Sequence, residues 1–139
     1  MLVQEVMTRE PCVVSVRDSI GKVLSRLAEA DVRHLPVMDG GELVGIVSDR
    51  DLRVVALSAD GATEGSGESA RSLARPISGL MSSDVVSVGP TDDLVEAIDL
   101  MLEHRIGAVP VVDEHDARLV GIVSYVDALR VAREVLGAQ

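Results

Sequence analysis

The sequence has almost no aromatic side chains: phenylalanine and tryptophan are absent, and Tyr125 is the single tyrosine. Proteins that bind single-stranded nucleic acids stack bases on such side chains, so that class is disfavoured. Basic residues are also few, because 13 Lys and Arg stand against 23 Asp and Glu, for a formal net charge of −10. An acidic surface repels phosphate backbones. We therefore expect no nucleic-acid partner.

Cysteine, metal-ligand spacings and long apolar runs are lacking as well. Cys12 is the only cysteine, which excludes an internal disulfide and a cysteine-based zinc site, and we expect it to be a buried structural thiol. The three histidines do not have the spacing of metal ligands. No apolar run approaches the roughly 18 residues of a membrane span, and no basic segment followed by an apolar one opens the chain. The expectation is a cytoplasmic protein without a membrane partner.

The motifs of common active sites are missing too. The sequence contains no nucleophile elbow, no P-loop and no Gly-x-Gly-x-x-Gly. Ser48 and Ser124 have no histidine near them in sequence to activate their hydroxyls. We therefore predict that the protein is not an enzyme.

What the sequence does contain is an aliphatic composition and an internal repeat. Hydrophobic residues make up 47% of the 139 residues, which is enough for the core of one domain or of two half-domains. One stretch occurs twice, as residues 32–39 with 43–51 and again as residues 106–113 with 119–127. Met7 and Met81 match upstream of the two copies, as do residues 13–16 and 85–88. Such a repeat indicates one structural unit used twice.

Hydrophobic periodicity gives both copies the order strand, helix, strand, strand, helix. In the first copy the predicted elements are a strand at 13–16, a helix capped by Asp18 or Ser19 and ending near Asp31, a hairpin of strands 35–38 and 43–47 around a glycine turn, and a helix from Ser48 to about Leu57. In the second copy they are a strand at 85–88, a helix capped by Thr91 or Asp92, a hairpin of strands 109–112 and 119–123, and a helix at 125–136 with a stripe of Val126, Leu129, Ala132 and Leu136. Residues 1–12 are predicted to be a lead-in.

The predicted organisation follows from this order. We divide the chain into motif 1 at residues 1–57, a small, polar, Gly-rich flexible linker at 58–75, and motif 2 at 76–139. Neither half can bury its sheet alone at about 60 residues. The predicted fold class is α/β, more narrowly α+β: two tandem β-α-β-β-α half-domains packed sheet to sheet with pseudo-two-fold symmetry. Two related clefts are expected where the strand ends converge.

A Ser-x-x-Asp pattern follows the Gly-Ile-Val strand of each copy, as Ser48 with Asp51 and as Ser124 with Asp127. Helix capping alone explains both residue types, because the serine accepts from the third amide and the acid reaches back to the cap. A nucleotide would suit the same geometry, since free N–H groups at a helix start bind phosphate and the carboxylate can accept from two ribose hydroxyls. Both interpretations stay open at this point.

Basic residues distinguish the two copies. Arg33 and His34 precede the first hairpin strand, and Arg50 lies inside the first Ser-x-x-Asp. The second copy has Gly107, Ala108 and Val126 at the matching positions. The alternative for the basic residues is a solvated patch that compensates neighbouring acids. If they form a binding site, a polyphosphate should prefer the first copy.

These residues carry a resemblance to a known family. Met7, residues 13–16, the Arg-His-Leu-Pro-Val run that begins at Arg33, residues 45–47 and Ser48-x-x-Asp51 resemble the CBS domain (cystathionine β-synthase domain). Two tandem copies resemble a Bateman module. The resemblance implies two β-α-β-β-α halves, pairing into a homodimer through helices, and ligands that contain adenosine. Family pairs are usually fused to an enzyme, channel or transporter, so we expect this chain to act alone or on a protein effector in trans.

The resemblance also implies roles for individual residues. Asp51 and Asp127 would hold the ribose, Ser48 and Ser124 would lie near ribose or phosphate, and Arg33 and His34 would contact phosphates. Adenine would contact apolar side chains and backbone of a set that includes Val14, Pro36, Val86 and Pro110. Family members often have a second hydroxyl residue before the aspartate, and here Arg50 or Val126 takes that place. Arg50 can donate to a phosphate, whereas Val126 cannot.

The resulting hypothesis is a non-catalytic regulatory module. It binds an adenine nucleotide of the AMP, ADP or ATP class, with NAD and S-adenosylmethionine as alternatives, in the cleft between its motifs, and it signals by conformational change. No cofactor is required. The alternative is a ligand-free structural module for dimerisation or interaction, in which Ser and Asp only cap helices.

Overall fold

The computed structural model describes residues 1–59, 73–81 and 85–138, with backbone alone for residues 55–59. Its secondary-structure elements in chain order are β1 (Thr8–Arg9), β2 (Val14–Ser15), α1 (Ile20–Ala30), β3 (His34–Asp39), β4 (Glu42–Ser48), α2 (Asp49–Ala59), α3 (Leu94–His104), β5 (Ala108–Val112), β6 (Leu119–Ser124) and α4 (Tyr125–Gly137). Short 3₁₀ turns occur at Val3–Glu5 and Ile77–Gly79. The predicted α+β class is confirmed.

The chain divides into two compact units. The first-copy unit is Cys12–Val85, and the second-copy unit joins Met1–Pro11 to Val86–Gln139. The units therefore do not coincide with the two halves of the sequence. Of the predicted linker at 58–75, residues 60–72 lie outside the described residues.

The first-copy unit contains a three-stranded sheet in the order β2-β3-β4. Strand β2 runs parallel to β3, with Val14 opposite Val37, and β3 pairs antiparallel with β4. Gly40 and Gly41 form the hairpin turn with φ of 60° and 90°, the positive values that favour glycine at such turns. Ser19 caps α1 by accepting from the amide of Lys22. These features agree with the sequence prediction.

The second-copy unit has a sheet in the order β1-β6-β5. The predicted strand at 85–88 is wrong, because only Val88 forms an isolated parallel bridge, to Val111. The amide of Val88 donates to the carbonyl of Pro110 at 3.1 Å, and the amide of Val112 donates to the carbonyl of Val88 at 2.8 Å. In the first copy the amide of Val16 continues the pairing by donating to the carbonyl of Met38 at 3.1 Å, whereas the matching residue here is Pro90, which has no N–H to donate to Val112.

The predicted cap of α3 is also wrong by one or two residues. Asp93, and neither Thr91 nor Asp92, is the N-cap, and its carboxylate accepts from the amide of Val95 at 2.9 Å. The carboxylate of Asp92 instead accepts from the amide of Gly89 at 2.7 Å, which closes the preceding turn. Sequence spacing could not decide between three adjacent residues that can all cap a helix.

Two segments, residues 1–11 and residues 75–81, pack on the unit of the opposite copy, and we name them the opening segments. Val3 is fully buried in the second-copy core, and its amide donates to the carbonyl of Asp92 at 2.9 Å. Ile77 is fully buried in the first-copy core, and its amide donates to the carbonyl of Asp18 at 3.0 Å. The prediction that residues 1–12 are only a lead-in is therefore wrong.

Met7 explains why β6 has a glycine at position 121. A Cβ on Gly121 would lie 2.5 Å from the Met7 sulfur and 2.9 Å from the Thr8 carbonyl oxygen. Only glycine therefore lets β1 lie this close to β6. Cys12 is half-buried against the first-copy core, so it is less buried than predicted.

Helix α4 places its predicted stripe outward. Leu129 and Leu136 are 62% and 68% exposed, and Val126 is 37% exposed. The core contact is made instead by Ala128 and Val131. Within the described ranges, no helix has the length and apolar character needed to cross a membrane.

Candidate functional site

The hairpin of the first-copy unit brings predicted site residues together at one end. The register pairs His34 with Ser48, at the start of β3 and the end of β4. The amide of Asp49 donates to the carbonyl of Arg33 at 2.8 Å, which fixes the start of α2 beside the start of β3. We name this set the strand-end cluster: Arg33, His34, Ser48, Asp49, Arg50 and Asp51.

Ser48 and Asp51 differ in their exposure to solvent. The hydroxyl oxygen of Ser48 accepts from the amide of Asp51 at 3.1 Å, so Ser48 caps α2 through the backbone. Asp51 is exposed, whereas Ser48 is half-buried. Capping is therefore realised in the structure, and it leaves the Asp51 carboxylate at the surface.

His34 is half-buried at the start of β3. Burial lowers the pKa of His34 below its ordinary value, and the negative charge of Asp51 partly opposes that shift. At neutral pH the imidazole is therefore mainly uncharged, and a ring N–H can donate to a ligand without a fixed positive charge. The cationic groups of the cluster are Arg33 and Arg50.

Asp49 belongs to the cluster although the sequence analysis did not select it. Its carboxylate lies 3.6 Å from Nη1 of Arg33 and 2.9 Å from Nε of Arg53. The Asp49 side chain is 16% exposed, against 73% for Arg33. The signal in the sequence was the spacing of Asp49 and Arg53, which is that of an ion pair one helical turn apart.

The apolar residues proposed for adenine lie deeper than the polar ones. Val14 is 3% exposed, and Pro36 is fully buried. These side chains therefore offer little exposed surface to an adenine ring.

The second-copy unit repeats the backbone of the cluster with different side chains. Ala108 pairs with Ser124, and the amide of Tyr125 donates to the carbonyl of Gly107 at 2.9 Å. Ser124 and Asp127 form a capping box, in which the Asp127 carboxylate accepts from the Ser124 amide at 2.9 Å and from its hydroxyl at 3.1 Å. Its other oxygen lies 3.7 Å from Arg130.

The remaining predicted residues of the second copy differ in how deeply they are buried. Pro110 is buried and Val86 is half-buried, while Val126, which takes the place of Arg50, is 37% exposed. The side chain of Asp127 is 12% exposed. The carboxylate of the second copy is thus largely engaged in capping, unlike the exposed carboxylate of Asp51.

A model of the CBS domain family matches this chain at residues 3–58 and 77–134. The chain belongs to the CBS domain family. Its two motifs stand in tandem, in agreement with the arrangement of a Bateman module.

Relatives of known identity match the chain over nearly its whole length. CBS domain-containing protein YhcV of Bacillus subtilis is 35% identical over 127 residues, which make up 90% of this chain and 81% of the relative. The CBS domain pair of protein MJ0100, solved with 5′-methylthioadenosine and S-adenosyl-L-methionine, is 26% identical with a TM-score of 0.76, and the match covers 95% of each chain. CBSX2 of Arabidopsis thaliana, solved with AMP, is 29% identical with a TM-score of 0.76 and matches 96% of this chain and 97% of its own.

Metal-ligating side chains do not gather in the described part of this CBS pair. No group of three or more His, Cys, Asp or Glu residues there could hold a metal ion. His104 and His115 are both exposed, as expected from their positions on a helix side and in a turn.

Proposed function

We propose that this CBS pair is a regulatory module that binds an adenine nucleotide at the strand-end cluster and signals by a change of conformation. The observation that carries the proposal is the convergence of an exposed carboxylate, two guanidinium groups and a helix start at one end of the hairpin. Asp51 accepts from the ribose hydroxyls in this proposal, and the first amides of α2 face the phosphate. Such a role is expected in the cytoplasm.

The phosphate contacts are assigned to the basic side chains. Arg33 and Arg50 supply positive charge, and His34 supplies a neutral donor. Guanidinium groups suit phosphate because they can donate two parallel hydrogen bonds. The relatives solved with AMP, 5′-methylthioadenosine and S-adenosyl-L-methionine support the adenosine part of the ligand. NAD and S-adenosylmethionine are the alternatives within the same chemical class.

Ser124 and Asp127 are proposed as a second, weaker position for the same ligand class. Gly107, Ala108 and Val126 bring no positive charge to it. The Asp127 carboxylate must also keep its capping bonds to Ser124. An anionic nucleotide should therefore fill the first-copy unit before the second-copy unit.

Catalysis is not part of the proposal. The register pairs His34 with Ser48, which brings a histidine and a serine together across the hairpin. In the described residues, however, Ser48 shares no hydrogen bond with His34, and its oxygen accepts from the Asp51 amide. A nucleophilic serine would need a hydrogen bond to its base. The geometry favours a capping serine.

Thermal denaturation with a panel of ligands tests the proposal. AMP, ADP or ATP at about 100 times its dissociation constant should stabilise the native protein by roughly 2.7 kcal/mol, which is a rise in Tm of several degrees. NAD and S-adenosylmethionine complete the panel, and guanosine monophosphate is the control for the base. No shift with any adenosine compound at millimolar concentration would contradict the proposal.

A second candidate function is a homodimerisation module, and the outward stripe of α4 favours it. Leu129 and Leu136 are exposed on one helix, and a second copy of the chain is proposed to cover them. The change to aspartate at both positions should convert a dimer into a monomer, as measured by light scattering at micromolar concentration. Leu102→Asp is the matched control, because Leu102 is 72% exposed on α3. A monomeric wild-type protein would contradict this candidate.

A further inference from the structure

We propose that Asp49 is an internal competitor for the ligand phosphate, and that it sets how strongly the strand-end cluster prefers phosphorylated over unphosphorylated adenosine compounds. The inference rests on the proposed function and concerns the same site. It gives a role to Asp49, whose negative charge opposes an anionic ligand and which has no ligand contact in the proposed function.

The backbone holds Asp49 and Arg33 side by side. The Asp49 amide donates to the Arg33 carbonyl, and the Asp49 carboxylate lies 3.6 Å from the Arg33 guanidinium. One oxygen of the carboxylate faces Arg33, and the other faces Arg53 at 2.9 Å. Arg33, one of the two guanidinium groups assigned to phosphate, therefore already has an anionic partner within the chain.

That partnership is weak enough to be exchanged. The Arg33 side chain is 73% exposed and the ion pair is long, so water screens it and it contributes little to stability. A phosphate can instead accept two charge-assisted hydrogen bonds from the same guanidinium. A phosphate at the first turn of α2 is still repelled by the negative charge of Asp49. This repulsion lowers the affinity for an anionic ligand and leaves the affinity for an uncharged nucleoside unchanged.

Arg53 weakens the repulsion between Asp49 and the phosphate. Its guanidinium neutralises part of the Asp49 charge over a short contact within the helix. Loss of Arg53 leaves Asp49 to act on Arg33 and on the phosphate alone. The second copy has Tyr125 at the position of Asp49, so the competitor occurs only in the copy that carries the basic residues.

Isothermal titration of the full chain with AMP and with 5′-methylthioadenosine tests the inference. Asp49→Asn should bind AMP about two- to fivefold more tightly, as expected for the removal of one exposed ionic interaction. Arg53→Gln should bind AMP more weakly. Binding of 5′-methylthioadenosine should not change in either variant, and the AMP effect should shrink as salt rises. Glu29→Gln removes an exposed acid from α1 and is the charge control.

The outcomes separate the inference from the proposed function. Weaker AMP binding by Asp49→Asn would show that Asp49 positions Arg33, and it would overturn the inference alone. Equal tightening of both ligands, or no change in AMP binding, would also overturn it alone. If neither ligand binds the wild-type protein, the proposed function fails and the inference fails with it. Circular dichroism and Tm of each variant establish that it is folded.

Discussion

Asp51→Ala is expected to weaken AMP binding by about tenfold or more, because a charged hydrogen-bond acceptor contributes roughly 1.5–3 kcal/mol. The ribose hydroxyls lose their proposed acceptor, and no neighbouring side chain of the cluster replaces it. Stability should fall by only about 1 kcal/mol or less, the size of a helix-terminus charge effect. The Ser48 cap survives, because Ser48 accepts from the Asp51 backbone amide. Isothermal titration and urea denaturation measure the two quantities.

Asp39→Ala is the matched control for this variant. Asp39 is an exposed aspartate at the opposite end of β3 from the strand-end cluster. Its loss should leave AMP binding unchanged. Unchanged AMP affinity in Asp51→Ala would mean that the Ser-x-x-Asp pattern only caps a helix, which is the structural-module alternative.

Ile77→Ala is expected to destabilise the first-copy unit by about 2–5 kcal/mol, as for other large-to-small changes in a core. Ile77 is fully buried with Ile20 and Val23 of α1, although it lies in the sequence of the second motif. Urea denaturation measures the loss. Amide hydrogen exchange locates it, and protection should fall first in α1.

Ser78→Ala is the control, since Ser78 is exposed next to Ile77. It should change stability by no more than about 0.5 kcal/mol, as is usual for surface positions. A loss of protection that begins in α3 of the second-copy unit would contradict the observed packing. It would mean that the opening segment stays with its own copy.

The order of elements was predictable because it depends on local patterns. Hydrophobic spacing gave α1 and the hairpin strands, and Gly40 and Gly41 gave the turn. For most of these elements the predicted and observed bounds differ by one or two residues. Strand β3, for example, begins at His34 and not at Leu35. Local propensity and side-chain pattern agree at these positions, so neighbouring sequence is sufficient.

Features that depend on distant residues were missed. The sequence could not show that each opening segment packs on the unit of the opposite copy. Val3 and Ile77 are equivalent positions of the repeat, so the sequence pattern is the same whichever unit each residue joins. The shortened pairing near Val88 follows from the missing N–H of Pro90, which stands where Val16 donates to the carbonyl of Met38 in the first copy, and this constraint acts across two strands. The exposure of Leu129 also could not be predicted from the sequence. An apolar stripe shows which residues share a helix face, and it does not show whether another element covers that face.

In the candidate site, too, the residues set by local spacing could be predicted, and those set by distant contacts could not. Ser48 and Asp51 could be selected because spacing places both in one helix start, and the register then brought His34 opposite Ser48. Asp49 was missed because its role arises from a contact with Arg33 across the chain. The different engagement of Asp51 and Asp127 could not be predicted from two identical patterns.

A crystal structure of the protein grown with AMP would show where the nucleotide binds. We expect ribose hydroxyls within hydrogen-bond distance of the Asp51 carboxylate and a phosphate in contact with Arg33, His34 and Arg50. Density for AMP at another place, with Asp51 left in solvent, would contradict the assignment of the nucleotide to the strand-end cluster.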